Sequence, residues 1–169
     1  SDLNEVPAGR AANIKTLIST QVTDAVVGDV RLQGTAALGI DAGKVLGVNG
    51  NWSNGVPGLT VSGAGSVEFK GGAASTISGS TTFSNLMCVE PGKTLQFEGG
   101  STQTVSGLLT LAGAEGKLLT LKSAAPPARW KLNAVPGSAH DVRRVRIADG
   151  DAVALDPIIA FDSEIASGS

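Results

Sequence analysis

The sequence has no tyrosine, one histidine (His140) and one cysteine (Cys88) among its 169 residues. A single cysteine excludes an intramolecular disulfide, and a single histidine with no pair of cysteines excludes the usual zinc ligand sets. Cys88 lies in an apolar run, Leu86 to Val89, which predicts that it is a small buried hydrophobic residue. The composition therefore predicts neither a disulfide framework nor a zinc centre.

Long apolar runs are also missing. No stretch approaches the ~18 residues of a membrane helix, and no signal peptide opens the chain. If the protein is exported, we expect this chain to be a mature form or an excised domain. Signatures of common enzymes are absent as well, because the chain contains neither a GxSxG nucleophile elbow nor a glycine loop followed by Gly-Lys-Ser/Thr.

Charge is low and unevenly placed. The formal net charge is −2, so the whole chain is not suited to binding a polyanion such as nucleic acid. Residues 117–147 are basic and residues 148–169 are acidic. The two stretches are either ordinary solvated surface or segments that meet, within one chain or between neighbouring copies.

Glycine is abundant, at 23 of 169 residues, which is about twice the usual ~7%. The glycines lack the three-residue period of collagen, and 41% hydrophobic residues can build a core. The composition predicts many short strands separated by glycine turns.

One pattern is written twice. The segment VEFKGGAASTISG from Val67 returns as LQFEGGSTQTVSG from Leu95, a shift of 28 positions. A fainter copy, IDAGKVLGVNG from Ile40, matches VEPGKTLQFEG from Val89 at a shift of 49. In each copy we expect a glycine with positive φ to turn the chain into a strand whose alternate residues face inward. Two different shifts imply repeated units of unequal length, with loops inserted where the chain turns.

Near-identical strands at fixed spacing predict stacked units, since each unit cannot bury its apolar face alone. We predict an all-β fold, a right-handed parallel β-helix (solenoid). Equivalent core residues should lie one above the other, Phe69 with Phe97 and Ile77 with Val105. Leu46 and Leu95, which match in sequence, are expected in the same core stack.

The predicted organisation is a single domain at residues 13–161 between an N-terminal tail, 1–12, and a C-terminal tail, 162–169. Residues 13–27 carry both a helical stripe and a high β-branched content, so they favour a strand but leave a helical cap as an alternative. The last apolar group, residues 153–161, is expected to form a final strand or a plug over the core.

Four segments carry a family resemblance: GKVLGVNGNWSNG from Gly43, GSVEFKGGAASTISGSTTFSNL from Gly65, EPGKTLQFEGGSTQTVSGLLTLAG from Glu90, and KLLTLKS followed by WKLN from Lys117. They resemble the right-handed parallel β-helix repeats of bacterial surface and secreted proteins. In that group a Phe-x-Asn-Leu step, here Phe83 to Leu86, precedes the Gly-Lys-Thr-Leu strand. The resemblance implies an extracellular, adhesive, scaffolding or surface-layer role and supplies no catalytic residues.

Candidate binding residues lie near the end of the chain. Asp149 and Asp151 are weak candidates for a calcium site or, with Arg144 or Arg146, for polysaccharide lysis or glycoside hydrolysis. Trp130 is expected in the core, with an assembly or glycan contact as the alternative, and Arg143 joins the arginines as a contact candidate.

The sequence thus favours a non-enzymatic extracellular rod without a cofactor or a membrane span. Its open ends would dock on other copies to give an oligomer or a filament. Glycan binding or cleavage on a lateral face is the alternative function.

Overall fold

The computed structural model of the chain describes residues 12–14, 25–152 and 160–166. These residues form nineteen short strands and contain no helix. The strands are β1 (Ala12–Ile14), β2 (Ala25–Val27), β3 (Val30–Leu32), β4 (Val45–Val48), β5 (Trp52–Asn54), β6 (Ser66–Phe69), β7 (Ser75–Ser78), β8 (Thr81–Phe83), β9 (Asn85–Cys88), β10 (Thr94–Phe97), β11 (Thr102–Val105), β12 (Leu108–Ala112), β13 (Leu119–Ser123), β14 (Trp130–Ala134), β15 (Ala139–Arg143), β16 (Val145–Ile147), β17 (Gly150–Ala152), β18 (Ala160–Phe161) and β19 (Glu164–Ile165).

The strands stack into three sheets. Sheet 1 has the order β1-β3-β5-β7-β10-β13-β16-β19, sheet 2 has the order β18-β15-β12-β9-β6-β4-β2, and sheet 3 has the order β17-β14-β11-β8. Every pair of neighbouring strands runs parallel. The chain is therefore an all-β parallel solenoid of about 6 turns, which confirms the predicted fold class.

Alternation along each strand builds the core. In β6, β9, β10 and β11 the second and fourth residues are buried and the first and third are half-buried. Since successive side chains of a strand point to opposite faces, the apolar alternation directs one residue in two into the solenoid. Large side chains fill its middle, with Trp52, Phe69, Phe83 and Phe97 all at most 1% exposed.

The predicted core stack is wrong in its partners. All six of its residues are buried, but Phe97 pairs with Ile77, and Phe69 pairs with Val48. Val105 pairs with Phe83 instead of Ile77. Leu46 and Leu95 also lie in different sheets, since Leu46 belongs to β4 of sheet 2 and Leu95 to β10 of sheet 1.

The repeated unit is a strand, a turn and a strand, used at two different corners. In the first copy β6 and β7 lead from sheet 2 to sheet 1, and in the second copy β10 and β11 lead from sheet 1 to sheet 3. The shift of 28 is therefore not the length of a turn of the solenoid. Val67 pairs with Leu86, 19 positions on, whereas Leu109 pairs with His140, 31 positions on, so the turns are unequal, as predicted.

The glycine turns differ in the same way. Gly43 and Gly92 both have positive φ, 75° and 76°, which confirms the prediction for the Gly-Lys turns. In the double-glycine turns the left-handed residue is the first glycine of one copy, Gly71 (φ 77°), and the second of the other, Gly100 (φ 80°). The same letters thus form turns of different shape.

The Phe-x-Asn-Leu step ties three consecutive turns together. Asn85 Nδ2 donates to the carbonyl oxygens of Ala64 at 2.9 Å and Gly65 at 3.0 Å. Asn85 Oδ1 accepts from the backbone N–H of Leu108 at 2.8 Å. Asn85 thus satisfies backbone groups at the corner where the chain passes from sheet 3 to sheet 2.

Short strands reach into both predicted tails. Ala12 opens β1, which pairs with β3, and Glu164–Ile165 form β19, which pairs with β16. Strand is confirmed at both ends of the 13–27 segment, and residues 15–24 lie outside the described residues. Within the last apolar group, Ala160–Phe161 form β18, and residues 153–159 lie outside the described residues.

Candidate functional surfaces: the ends and outer faces of the solenoid

Trp130 belongs to the core. Its side chain is 3% exposed, its ring stacks on Phe97 with centroids 4.1 Å apart, and its Nε1 donates to the carbonyl oxygen of Ala148 at 3.0 Å. Alternation with Lys131, which faces outward, places it there. The core prediction is confirmed, and Trp130 offers no exposed ring for the alternative assembly or glycan contact.

The three candidate arginines lie at the corner between β15 and β16, where two of them pair with different acidic residues. Arg143 pairs with Asp141 on the same strand. Arg146 Nε lies 3.9 Å from Glu164 Oε2, with both side chains more than half exposed. Arg144 sits between β15 and β16 with a positive φ of 50°. The basic and acidic stretches therefore meet within one chain through Arg146 and Glu164, and the exposed pair contributes little to stability.

The two candidate calcium ligands do not gather a coordination shell. Asp149 lies in the turn before β17 with φ 55°, and Asp151 lies on β17 opposite Lys131. Across the described residues no group of three or more His, Cys, Asp or Glu side chains could hold a metal ion. His140 lies on β15 of sheet 2, opposite Leu109, whereas Asp151 lies on β17 of sheet 3.

A cavity of about 450 Å³ lies at the C-terminal end of the solenoid. Its walls are mainly apolar, and the carboxylate residues Asp151 and Glu164 also line it. The apolar lining residues are Leu111, Leu121, Trp130, Leu132, Val142 and Ile147, with Ala160 and Ile165 from the last two strands. Among the described residues, the cavity thus lies at the end of the stacked core.

The same end exposes two large apolar side chains. Phe161 on β18 is 64% exposed and Ile165 on β19 is 79% exposed, against 38% to 41% for Val26, Val89 and Leu108 elsewhere. Among the described strands, β17, β18 and β19 are the last of sheets 3, 2 and 1, so each has a neighbour on one side only. An open parallel edge beside exposed apolar side chains is a template for pairing with another chain.

The outer face of sheet 1 carries columns of polar side chains. Thr76, Gln96 and Lys122 are register neighbours, and so are Thr94, Thr120 and Arg146. Adjacent members of a column lie on strands ~4.8 Å apart, and Thr76 Oγ1 donates to Gln96 Oε1 at 3.4 Å. This face offers hydroxyl, amide and cationic groups in line.

Sequence reasoning missed the buried polar groups of the core. Lys93 and Gln103 are both 0% exposed. Lys93 Nζ donates to three backbone carbonyls, and Gln103 Nε2 donates to the carbonyl oxygen of Gly79 at 2.9 Å. Burial lowers the pKa of Lys93 below its ordinary value. The Gly-Lys motif marked the turn at Lys93 but gave no signal of its burial.

Comparison with protein-family models, with curated proteins and with solved structures finds no match for this chain. In the described part of the chain, no helix is both long and apolar enough to cross a membrane. The fold alone therefore defines the class, and the chain is a parallel β-solenoid protein.

Proposed function

We propose that this chain is a non-enzymatic structural module of the cell exterior, a rigid rod that docks end to end on other copies. The observation that supports this most directly is the C-terminal end, where Phe161 and Ile165 are exposed on the last strands beside an apolar cavity. The sequence resemblance to bacterial surface repeats supports an extracellular, adhesin-like or scaffolding setting.

The strand order supports a head-to-tail contact. Within the described residues, sheets 1 and 2 begin at β1 and β2 and end at β19 and β18, all with parallel neighbours. A second copy that placed its first strands against these last strands would continue both sheets with the same polarity. Such a contact joins different surfaces of the two copies. Because it would continue each rod along its own axis, it would not close into a ring, and repeated contacts would give a filament or a layer.

The test is the state of association of the purified chain over a range of concentrations, measured by analytical ultracentrifugation and by negative-stain imaging. We expect rods that lengthen with concentration. A double variant, Phe161→Ser with Ile165→Lys, should shift the chain to monomer. Val89→Lys, at 41% exposure directly after β9, is the matched control and should leave the rods intact. A chain that stays monomeric at high concentration would refute the proposal.

A second candidate function is glycan binding on the outer face of sheet 1. It is favoured by the cations of Lys122 and Arg146 in these columns, which suit the hydroxyl and carboxylate groups of an acidic polysaccharide. Lys122 carries most of this argument, because Glu164 follows Arg146 in its column. Binding to a panel of acidic and neutral polysaccharides should weaken in a Lys122→Ala, Arg146→Ala double variant. Release of unsaturated products or reducing ends would indicate cleavage, and an Asp149→Ala, Asp151→Ala variant that kept full activity would exclude those carboxylates.

A further inference from the structure

Lys93 ends in a cage of backbone carbonyls. Its Nζ donates to the oxygens of Lys70 at 2.9 Å, Gly71 at 3.0 Å and Ala73 at 2.7 Å. An ammonium group has three N–H donors, so all three are used. The side chain is 0% exposed. These bonds join the residue before β10 to the corner between β6 and β7, one turn of the solenoid earlier.

The shape of that corner explains why the oxygens converge. Gly71 has φ 77°, a left-handed conformation that other residues adopt only with strain. The left-handed residue reverses the chain between β6 and β7, and the carbonyls on both sides of it then face the same point. A cluster of carbonyl oxygens turned inward is a site for a positive charge.

The cage holds the charge without an ion pair. Within the described part of the chain, the ion pairs are Lys70 with Glu68, Arg143 with Asp141 and Arg146 with Glu164, and none includes Lys93. A buried charge is costly unless it is hydrogen-bonded. The carbonyl dipoles are therefore the groups bonded to the Lys93 ammonium, and the carboxylate of Glu90 attracts it without an ion pair.

We propose that the corner 70–73 is a binding site for a primary ammonium group, which Lys93 fills from within the chain. The oxygen to nitrogen distances of 2.7 to 3.0 Å are those of charge-assisted N–H···O bonds. Three oxygens match three N–H donors, whereas a bare ion such as Ca²⁺ takes about 6 to 8 oxygens. When the side chain is shortened, the site takes a small alkylammonium ion from solution. This inference is independent of the proposed rod function.

Chemical rescue tests the site. Lys93→Ala removes the three outer methylenes and the ammonium, the atoms that propylammonium would restore. We expect Lys93→Ala to lower Tm, and propylammonium chloride to raise it again in a saturable manner. N,N,N-trimethylpropylammonium has the charge but no N–H and should not rescue. Lys44→Ala, at the equivalent Gly-Lys turn where the lysine is only half-buried, should lose less stability and show no rescue.

A second measurement uses the unaltered protein, in case Lys93→Ala does not fold. The side-chain nitrogen of Lys93, labelled with ¹⁵N, should give an NH₃⁺ resonance that exchanges slowly with water and is missing in Lys93→Met. Lack of any protected ammonium resonance would overturn the proposal. So would an equal rise in Tm with propylammonium, its trimethyl analogue and potassium chloride, since that would indicate a general salt effect.

Discussion

Phe97 and Trp130 stack almost face to face, with ring centroids 4.1 Å apart and planes inclined by 13°. Phe97 ends β10 in sheet 1, and Trp130 begins β14 in sheet 3 on the next turn. Trp130 Nε1 also donates to Ala148 on the turn after that, at 3.0 Å. The pair therefore links three consecutive turns in the C-terminal half of the rod.

We expect Trp130→Ala to lower the free energy of unfolding by about 3 to 5 kcal/mol, the cost of a large cavity in a core. Trp130→Phe should cost less, because it keeps a ring against Phe97 and loses the bond to Ala148. Urea unfolding followed by circular dichroism measures both. Leu108→Ala, at 38% exposure, is the control and should change the free energy by less than about 1 kcal/mol. Equal losses for Trp130→Ala and Leu108→Ala would contradict the core role of Trp130.

Gly79 and Gly100 separate steric fit from backbone strain. Their φ angles are alike, 77° and 80°, but a Cβ on Gly79 would lie 1.9 Å from the carbonyl oxygen of Asn54, whereas one on Gly100 meets nothing within 4 Å. Gly100→Ala should therefore cost about 1 to 2 kcal/mol from strain alone. Gly79→Ala should cost clearly more, since backbone must move. Thermal unfolding of the two variants gives the difference, and a smaller loss in Gly79→Ala would show that this corner can relax.

The fold was predictable because its signals are local. Alternation at Val67 and Phe69, together with the glycines that end each strand, requires only that one residue in two faces a core. The stacking partners were not predictable from the same signals. Sheets 1, 2 and 3 all need this alternation, so the repeat at Leu95 fits any of them, and its sheet depends on the summed length of all preceding turns.

The exposure of a side chain was predictable where it follows from alternation within one strand. Trp130 alternates with Lys131, and the structure buries the former and leaves the latter half-buried. Lys93 and Lys44 follow the same Gly-Lys motif, yet only Lys93 is fully buried. The difference comes from the carbonyls of residues 70–73 on another turn, and no local pattern contains that information.

Asn85 should be needed for its whole amide group. In the parent chain the carbonyl oxygens of Ala64 and Gly65 accept hydrogen bonds from Asn85 at 2.9 and 3.0 Å. Asn85→Asp keeps an acceptor for the N–H of Leu108 but turns a carboxylate oxygen towards those two carbonyls. We expect Asn85→Asp and Asn85→Ala each to cost about 1 to 3 kcal/mol. Asn49→Ala, at an exposed asparagine, should be close to neutral. An Asn85→Asp variant as stable as the parent would indicate that the donated bonds contribute nothing.

Two buried groups in the middle of the rod should give opposite responses to alkaline pH. Burial raises the pKa of the Cys88 thiol from 9.0 to about 11. Folding then favours the protonated thiol, and this stabilisation is complete below pH 9.0 and is lost as the pH rises towards 11. Burial lowers the pKa of Lys93 below its ordinary 10.5. The unfolded chain therefore binds more protons just below pH 10.5, and this contribution to stability rises with pH.

Urea unfolding between pH 7 and pH 11 of the parent chain, Cys88→Ala and Lys93→Met should resolve the two effects. Cys88→Ala removes the thiol, whose contribution to stability is lost at high pH. Its free energy of unfolding should therefore fall less steeply with pH than that of the parent, and the two should differ by up to about 2 to 3 kcal/mol over the range. Lys93→Met removes the compensating rise and should fall more steeply. Glu68 and Glu90, which act on the Cys88 thiol, are present in all three proteins, so they do not account for a difference. Cys88 and Lys93 also act on each other, so each single variant removes that interaction as well. Parallel curves for the three proteins would mean that neither group changes its pKa on folding.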